Sequence, residues 1–278
     1  MLKLNNLSTR IKAVSLTIFI TIIFAVLSEI DFLQILKIPL PFDFIKIFVL
    51  SFIYYIGLFW VLSFRIKGER FLTILLFPAL SLFVLALYIE LIINSIPDSV
   101  DKVFVRFIAS MILAIFVYVS ILTANILNVG FIEKIPLSQA GRASHYVLTL
   151  ITNYLFISLL FSNSFLIYIK FLLVIIFTYI FTSIALWSIN LRLKHRFLSS
   201  IAIALSVFIM TFVLSLWPVS SEYMAFILSI IYYIELGIAL EVREIISTRI
   251  WIEYLLLYLG IILILFLIAE WGINGRII

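Results

Sequence analysis

Apolar runs long enough to cross a bilayer recur nine times along this chain, and no other feature limits its possible folds so severely. A helix rises 1.5 Å per residue, so about 20 residues bridge the roughly 30 Å of hydrocarbon in a membrane. Runs of that order occupy 13–30, 44–64, 71–95, 103–129, 146–161, 165–189, 197–219, 223–240 and 250–269, each bounded by charge, proline or asparagine. The fifth, 146–161, is the shortest. Inside lipid a backbone must satisfy its own hydrogen bonds, which a helix does within one segment. The expected fold is therefore all-α, a polytopic transmembrane helix bundle of about nine spans. Composition agrees, with 65% hydrophobic and 12% charged residues and a mean hydropathy of +1.32. Soluble chains run near one quarter charged, and 278 residues this apolar lack the polar shell that water requires.

Charge sets the orientation. The chain carries 19 Lys plus Arg against 14 Asp plus Glu, a net +5, and the basic residues fall in short clusters between apolar runs. That is a topology signal rather than a nucleic-acid surface, so nucleic acid is not an expected partner. One side collects Lys3, Arg10, Lys12, Arg65, Lys67, Arg70, Lys134, Arg142, Arg192, Lys194, Arg196, Arg243 and Arg249, thirteen in all, and the other has Lys37, Lys46, Lys102, Arg106, Lys170 and Arg276, which makes six. Lys and Arg resist translocation, so the thirteen mark the cytoplasm; the amino terminus is expected inside and Ile278 outside. Trp60, Trp187, Trp217, Trp251 and Trp271 all fall near expected span ends, where the indole prefers the headgroup layer. The first run exceeds a signal-peptide core and no A-x-A site follows it, which predicts a retained anchor.

The connecting segments are too short for a soluble domain; the longest are 31–43 outside and 130–145 inside. A single transmembrane domain over 1–278 is expected, with function embedded in the membrane or at its surface. The segment 32–41, apolar apart from Gln34, Lys37 and two prolines, is read as lying on the outer surface. No cysteine is present, which excludes disulfides and thiolate chemistry, and His145 and His195 are assigned to separate basic loops. No metal site and no cofactor are expected.

Polar residues within the spans carry the information about function, because each costs about 2.5–3.5 kcal/mol near a helix centre unless partnered. Glu90 and Arg106 lie equally far from a turn centred near Asp98, so an antiparallel hairpin places them at one depth, as a structural ion pair or as two side chains reaching for the headgroups. Glu235 is the deepest carboxylate, preceded by Tyr232 and Tyr233 and followed by Gly237. It is read either as a neutral group bonded to a neighbouring helix or as the proton-handling group of a carrier. Asn125 and Asn128 share a helix face at spacing i, i+3, and Asn153 lies in the inner half of the fifth run. These three amides either line an inner-leaflet cavity or glue helices together. Pro78 is the sole proline well inside a span, and span glycines are few, which argues against the broken half-helices of rocking carriers.

Motifs for standard hydrolases and nucleotide-driven machines are missing: there is no Walker loop, HExxH, GxSxG or D-x-x-x-D pair. Glu29-Ile30-Asp31 resembles the acidic pair that lipid-linked glycosyltransferases carry in their first outside loop, and its plainer reading is an acidic cap that helps set topology.

A broader resemblance runs over about the last 150 residues. It is carried by Ala124-Asn125-Ile126-Leu127-Asn128-Val129, Ile135-Pro136-Leu137, Arg142-Ala143, Ala185-Leu186-Trp187-Ser188, Leu216-Trp217-Pro218-Val219, Glu253-Tyr254-Leu255 and Trp271-Gly272. In order and spacing these are similar to an uncharacterised family of multi-pass inner-membrane proteins from reduced-genome, uncultivated bacteria. The resemblance implies a bacterial cytoplasmic membrane protein and carries over no catalytic residue. The leading expectation is a non-catalytic membrane component that scaffolds an envelope complex, with the bilayer and other membrane proteins or a second copy as partners. A small proton-coupled carrier using Glu235 with Asn125, Asn128 and Asn153 is the alternative, and a glycosyltransferase-like enzyme using Glu29 and Asp31 is a third reading.

Overall fold

The computed structural model describes residues 9–29, 42–62, 69–97, 101–132, 137–163, 166–189, 191–217, 219–241 and 248–268. Among them all regular structure is helical: α1 (Thr9–Glu29), α2 (Phe42–Val61), α3 (Glu69–Ser95), α4 (Lys102–Ile132), α5 (Leu137–Ser162), α6 (Ile167–Trp187), α7 (Leu193–Ser215), α8 (Ser221–Glu241) and α9 (Thr248–Ile268). The first eight are long and apolar enough to cross a membrane, so the chain is a multi-pass membrane protein. In α9, Ile252–Ile261 is the apolar stretch among the described residues. Trp60 and Trp187 sit at the ends of α2 and α6, and Trp217 just past α7. Trp271 and the outer segment 32–41 lie outside the described residues.

The largest departure from the sequence reading is at the α4–α5 connection. Most of the expected inner loop 130–145 is helix: α4 continues to Ile132 and α5 begins at Leu137, making α5 26 residues long rather than the shortest span. Ser138, Gln139, Arg142 and Ser144 make this stretch polar enough to resemble a loop, yet helices that outrun the hydrocarbon carry polar turns into the headgroup layer. Gly141 permits the close approach of the two helices, since a Cβ there would stand 2.5 Å from Ile126 Cγ2 of α4. Two compact units result, Met1–Thr152 and Asn153–Ile278, divided within α5.

In the first unit α1 packs on α2 and α4, α2 on α3, and α3 on α4, which closes a four-helix ring. Its core is built from rows at spacing i, i+4: Leu16, Ile20 and Phe24; Leu50, Tyr54 and Leu58; Leu113, Val117 and Ile121 are all buried. Such rows are the ridges by which helices interdigitate. Lipid tails are as apolar as leucine, so helix association here depends on close packing and interhelical hydrogen bonds. One such bond joins the Tyr54 hydroxyl of α2 to Ser120 Oγ of α4 at 2.8 Å. Lys12, expected to flank the first span, lies inside α1 and is buried, its Nζ 5.6 Å from the Trp60 ring centroid of α2. That cation–π contact compensates part of the cost of removing the ammonium from water.

In the second unit α6 packs on α7, α7 on α8, and α8 also touches α6 and α9. Val174 and Phe181 of α6, Ile203 and Val207 of α7, and Leu228, Tyr232 and Leu236 of α8 form the core. Phe156 of α5 stacks on Phe177 of α6 at 4.1 Å between centroids and meets Phe181 edge-on at 6.3 Å.

Candidate functional site

Glu235 sits on α8 three residues after Tyr232, a spacing that makes the two neighbours on the helix surface. Tyr232 is fully buried, and its hydroxyl accepts a hydrogen bond from Thr182 Oγ1 of α6 at 3.4 Å. Half-buried Glu235 accepts a hydrogen bond at Oε1 from the Ser206 hydroxyl of α7. The Tyr258 hydroxyl of α9 also lies in interacting range of the carboxylate, whose Oε2 is buried with no hydrogen bond among the described residues. Together the two α8 residues engage α6, α7 and α9. Sequence reading identified Glu235 and missed Ser206 and Tyr258.

The amides are divided. Asn125 is half-buried and Asn128 buried on α4, while Asn153 on α5 is fully buried. Among the described residues Asn128 Oδ1 and both amide atoms of Asn153 have no hydrogen bond. The carboxylate of Glu235 is thus brought to Ser206 and Tyr258, and not to the Asn153 amide.

His145 corrects the sequence reading: it is a buried residue of α5 rather than a loop residue, with its ring 4.5 Å edge-on from Phe77 of α3 and its Nε2 without a hydrogen bond among the described residues. His195, likewise assigned to a loop, is exposed in the first turn of α7. With Thr149 and Thr152, both buried, His145 forms a polar row along α5 at spacing i, i+4, i+7 that continues at Asn153. The threonine hydroxyls are bonded to their own helix, Thr149 to the His145 carbonyl and Thr152 to that of Leu148, each at 2.7 Å. The 145–153 pattern is visible in the sequence once α5 is begun at Leu137.

Glu90 is buried in α3, and half-buried Arg106 lines a cavity between α1 and α4; both side chains are engaged by neighbours. Glu29 is the last residue of α1. Its side chain and all of Asp31, the acidic pair of the glycosyltransferase reading, lie outside the described residues. Among the described residues no three His, Cys, Asp or Glu side chains gather into a metal-binding group. The chain matches no known protein-family model, no curated protein and no solved structure.

Proposed function

We propose that this membrane protein is a non-catalytic component of the bacterial cytoplasmic membrane, a scaffold for an envelope complex whose partners are other membrane proteins or a second copy of the chain. The observation that carries this reading is the placement of Glu235. The deepest carboxylate serves as a link between helices, bonded to α7 and facing Tyr258 of α9, as Tyr54–Ser120 links α2 to α4 and Thr182–Tyr232 links α6 to α8. Polar side chains used in this way hold a helical framework together. The resemblance over the last 150 residues supports the bacterial location, and the excess of basic residues on one side supports an inside amino terminus with α9 as a ninth crossing.

Thermal unfolding of purified wild type and Glu235→Gln in detergent from about pH 5 to pH 9 tests the reading. Glutamine keeps the shape and the hydrogen bond and removes the ionisable group. Coincident curves at every pH are expected. A pH dependence present in wild type and absent from the variant would show a carboxylate that changes state inside the membrane, and the scaffold reading would give way to the carrier. Tyr258→Phe, measured alongside, removes the other titratable group facing that carboxylate.

A specific observation favours the carrier as second reading: in the second unit Glu235 Oε2 and both amide atoms of Asn153 are buried with no hydrogen bond among the described residues. Such atoms are costly in a bilayer, and a passing polar solute would satisfy them. Proton flux into liposomes reconstituted with the chain, absent in Asn153→Leu, would support it; equal flux in both would sink it.

A further inference from the structure

The cavity between α1 and α4 has a volume of about 400 Å³ and combines an apolar wall with two polar groups on α4. Ile22 and Ala25 of α1 and Val103, Phe107 and Met111 of α4 provide the wall, and Arg106 and Ser110 the polar groups. The third polar residue there, Thr21, has its hydroxyl committed to the Thr17 carbonyl at 2.8 Å. Ser110 is 8% exposed and its hydroxyl has no hydrogen bond among the described residues. The wall residues Ile22, Val103, Phe107 and Met111 are exposed, so the cavity opens sideways toward lipid.

Depth decides what such a groove meets. α4 has 31 residues and is therefore about 46 Å long, roughly 8 Å longer at each end than the hydrocarbon layer when centred in it. Arg106 lies four residues after Lys102, the first of α4, about 6 Å along the axis, which puts it just outside the hydrocarbon boundary; Ser110 lies about 6 Å deeper, just within it. That offset is comparable to the separation between the phosphate of a glycerophospholipid and its ester carbonyls. Lys102 adds a second positive charge at this helix end. The nearby Asp101 carboxylate is turned onto α4, accepting from the Val103 and Phe104 N–H groups at 3.0 and 3.2 Å.

We propose that the α1–α4 groove is a binding site for one anionic glycerophospholipid. The phosphate meets the Arg106 guanidinium, an ester carbonyl accepts from Ser110, and an acyl chain lies along Ile22, Phe107 and Met111. Guanidinium matches phosphate through paired donors, and five N–H groups let Arg106 serve a protein neighbour and a headgroup together. The α1–α4 placement stands on observations separate from those for Glu235, so it holds or fails independently of the scaffold reading.

Native mass spectrometry of the detergent-purified full chain, titrated with phosphatidylglycerol, phosphatidylcholine, diacylglycerol or inorganic phosphate, tests the site. Phosphatidylglycerol is expected to bind most tightly and diacylglycerol at least about tenfold more weakly, because it lacks the charge-assisted contact. Arg106→Gln is expected to lower phosphatidylglycerol affinity by a similar factor. Ile22→Trp, on the lipid-facing wall, is expected to block binding without altering charge, and covers the case in which Arg106→Gln fails to fold. Equal retention of all three lipids, unchanged binding in Ile22→Trp, or equal binding of inorganic phosphate would each overturn the assignment. So would efficient disulfide capture of two copies through Phe107→Cys with no lipid retained, which would make the groove a protein–protein seam.

Discussion

Gly141→Ala and Gly260→Ala form a matched pair that isolates the crowding between α4 and α5. Both glycines lie inside helices, where alanine is favoured by roughly 0.8–1 kcal/mol. At Gly260 in α9 the added Cβ meets nothing within 4 Å, so that gain is realised. At Gly141 the Cβ would stand 2.5 Å from Ile126 Cγ2 and 3.2 Å from Ile126 Cβ. A methyl group so near the branch point cannot be relieved by swinging a flexible chain end, and α4 and α5 must separate. Overpacking of this kind costs about 1–3 kcal/mol. Because propensity cancels within the pair, Gly141→Ala should lie below Gly260→Ala by that crowding cost, a difference of roughly 2–12 °C in thermal midpoint. Circular dichroism melts of the two variants in one detergent read it directly. Adding Ile126→Ala to Gly141→Ala removes the opposing methyl, so the double variant should lose less than the two single losses together. A Gly141→Ala midpoint equal to or above that of Gly260→Ala would refute the close approach.

Tyr54→Phe removes the hydroxyl's two contacts with α4, to Ser120 Oγ at 2.8 Å and to the Val117 carbonyl at 3.4 Å, and leaves Ser120 bonded to that carbonyl at 2.8 Å, so the expected loss is small, about 0.5–1.5 kcal/mol, read from the same melts. Asn153→Leu removes a fully buried amide that makes no hydrogen bond among the described residues and should be neutral or stabilising by about 1–3 kcal/mol; a clear drop in midpoint would show that the amide has a partner. The chain has no cysteine, so single replacements report on topology without background. Asn5→Cys and Asn274→Cys should react with an impermeant maleimide from opposite faces of sealed vesicles, and labelling from the same face would remove α9 as a crossing.

The positions of the helices were legible because lipid leaves a one-dimensional record: an apolar run of fixed length, ended by charge, tryptophan or proline. The start of α5 was not, since Ser138, Arg142 and His145 are polar by composition, and the approach of Gly141 to Ile126 joins positions on two helices that local periodicity does not connect. Glu235 was visible as a deep carboxylate. Its partners were not, because Ser206 and Tyr258 lie on other helices, and local periodicity says nothing about which helices adjoin. Arg106 shows the same limit. Its depth could be counted from the turn, while its position in a groove beside α1 depends on α1 and α4, far apart in the chain, packing together.

The ring of α1 to α4 also imposes an order on biogenesis. Helix α1 is made before the other three helices of the ring but packs on both α2 and α4, so its seam with α4 has no native occupant until α4 has been made. In that interval the α4-facing side of α1 lacks its native partner, while α1 and α2 already contain both residues of the Lys12–Trp60 contact. Quality control acting on nascent membrane chains would therefore find a window here, between synthesis of the second helix and arrival of the fourth.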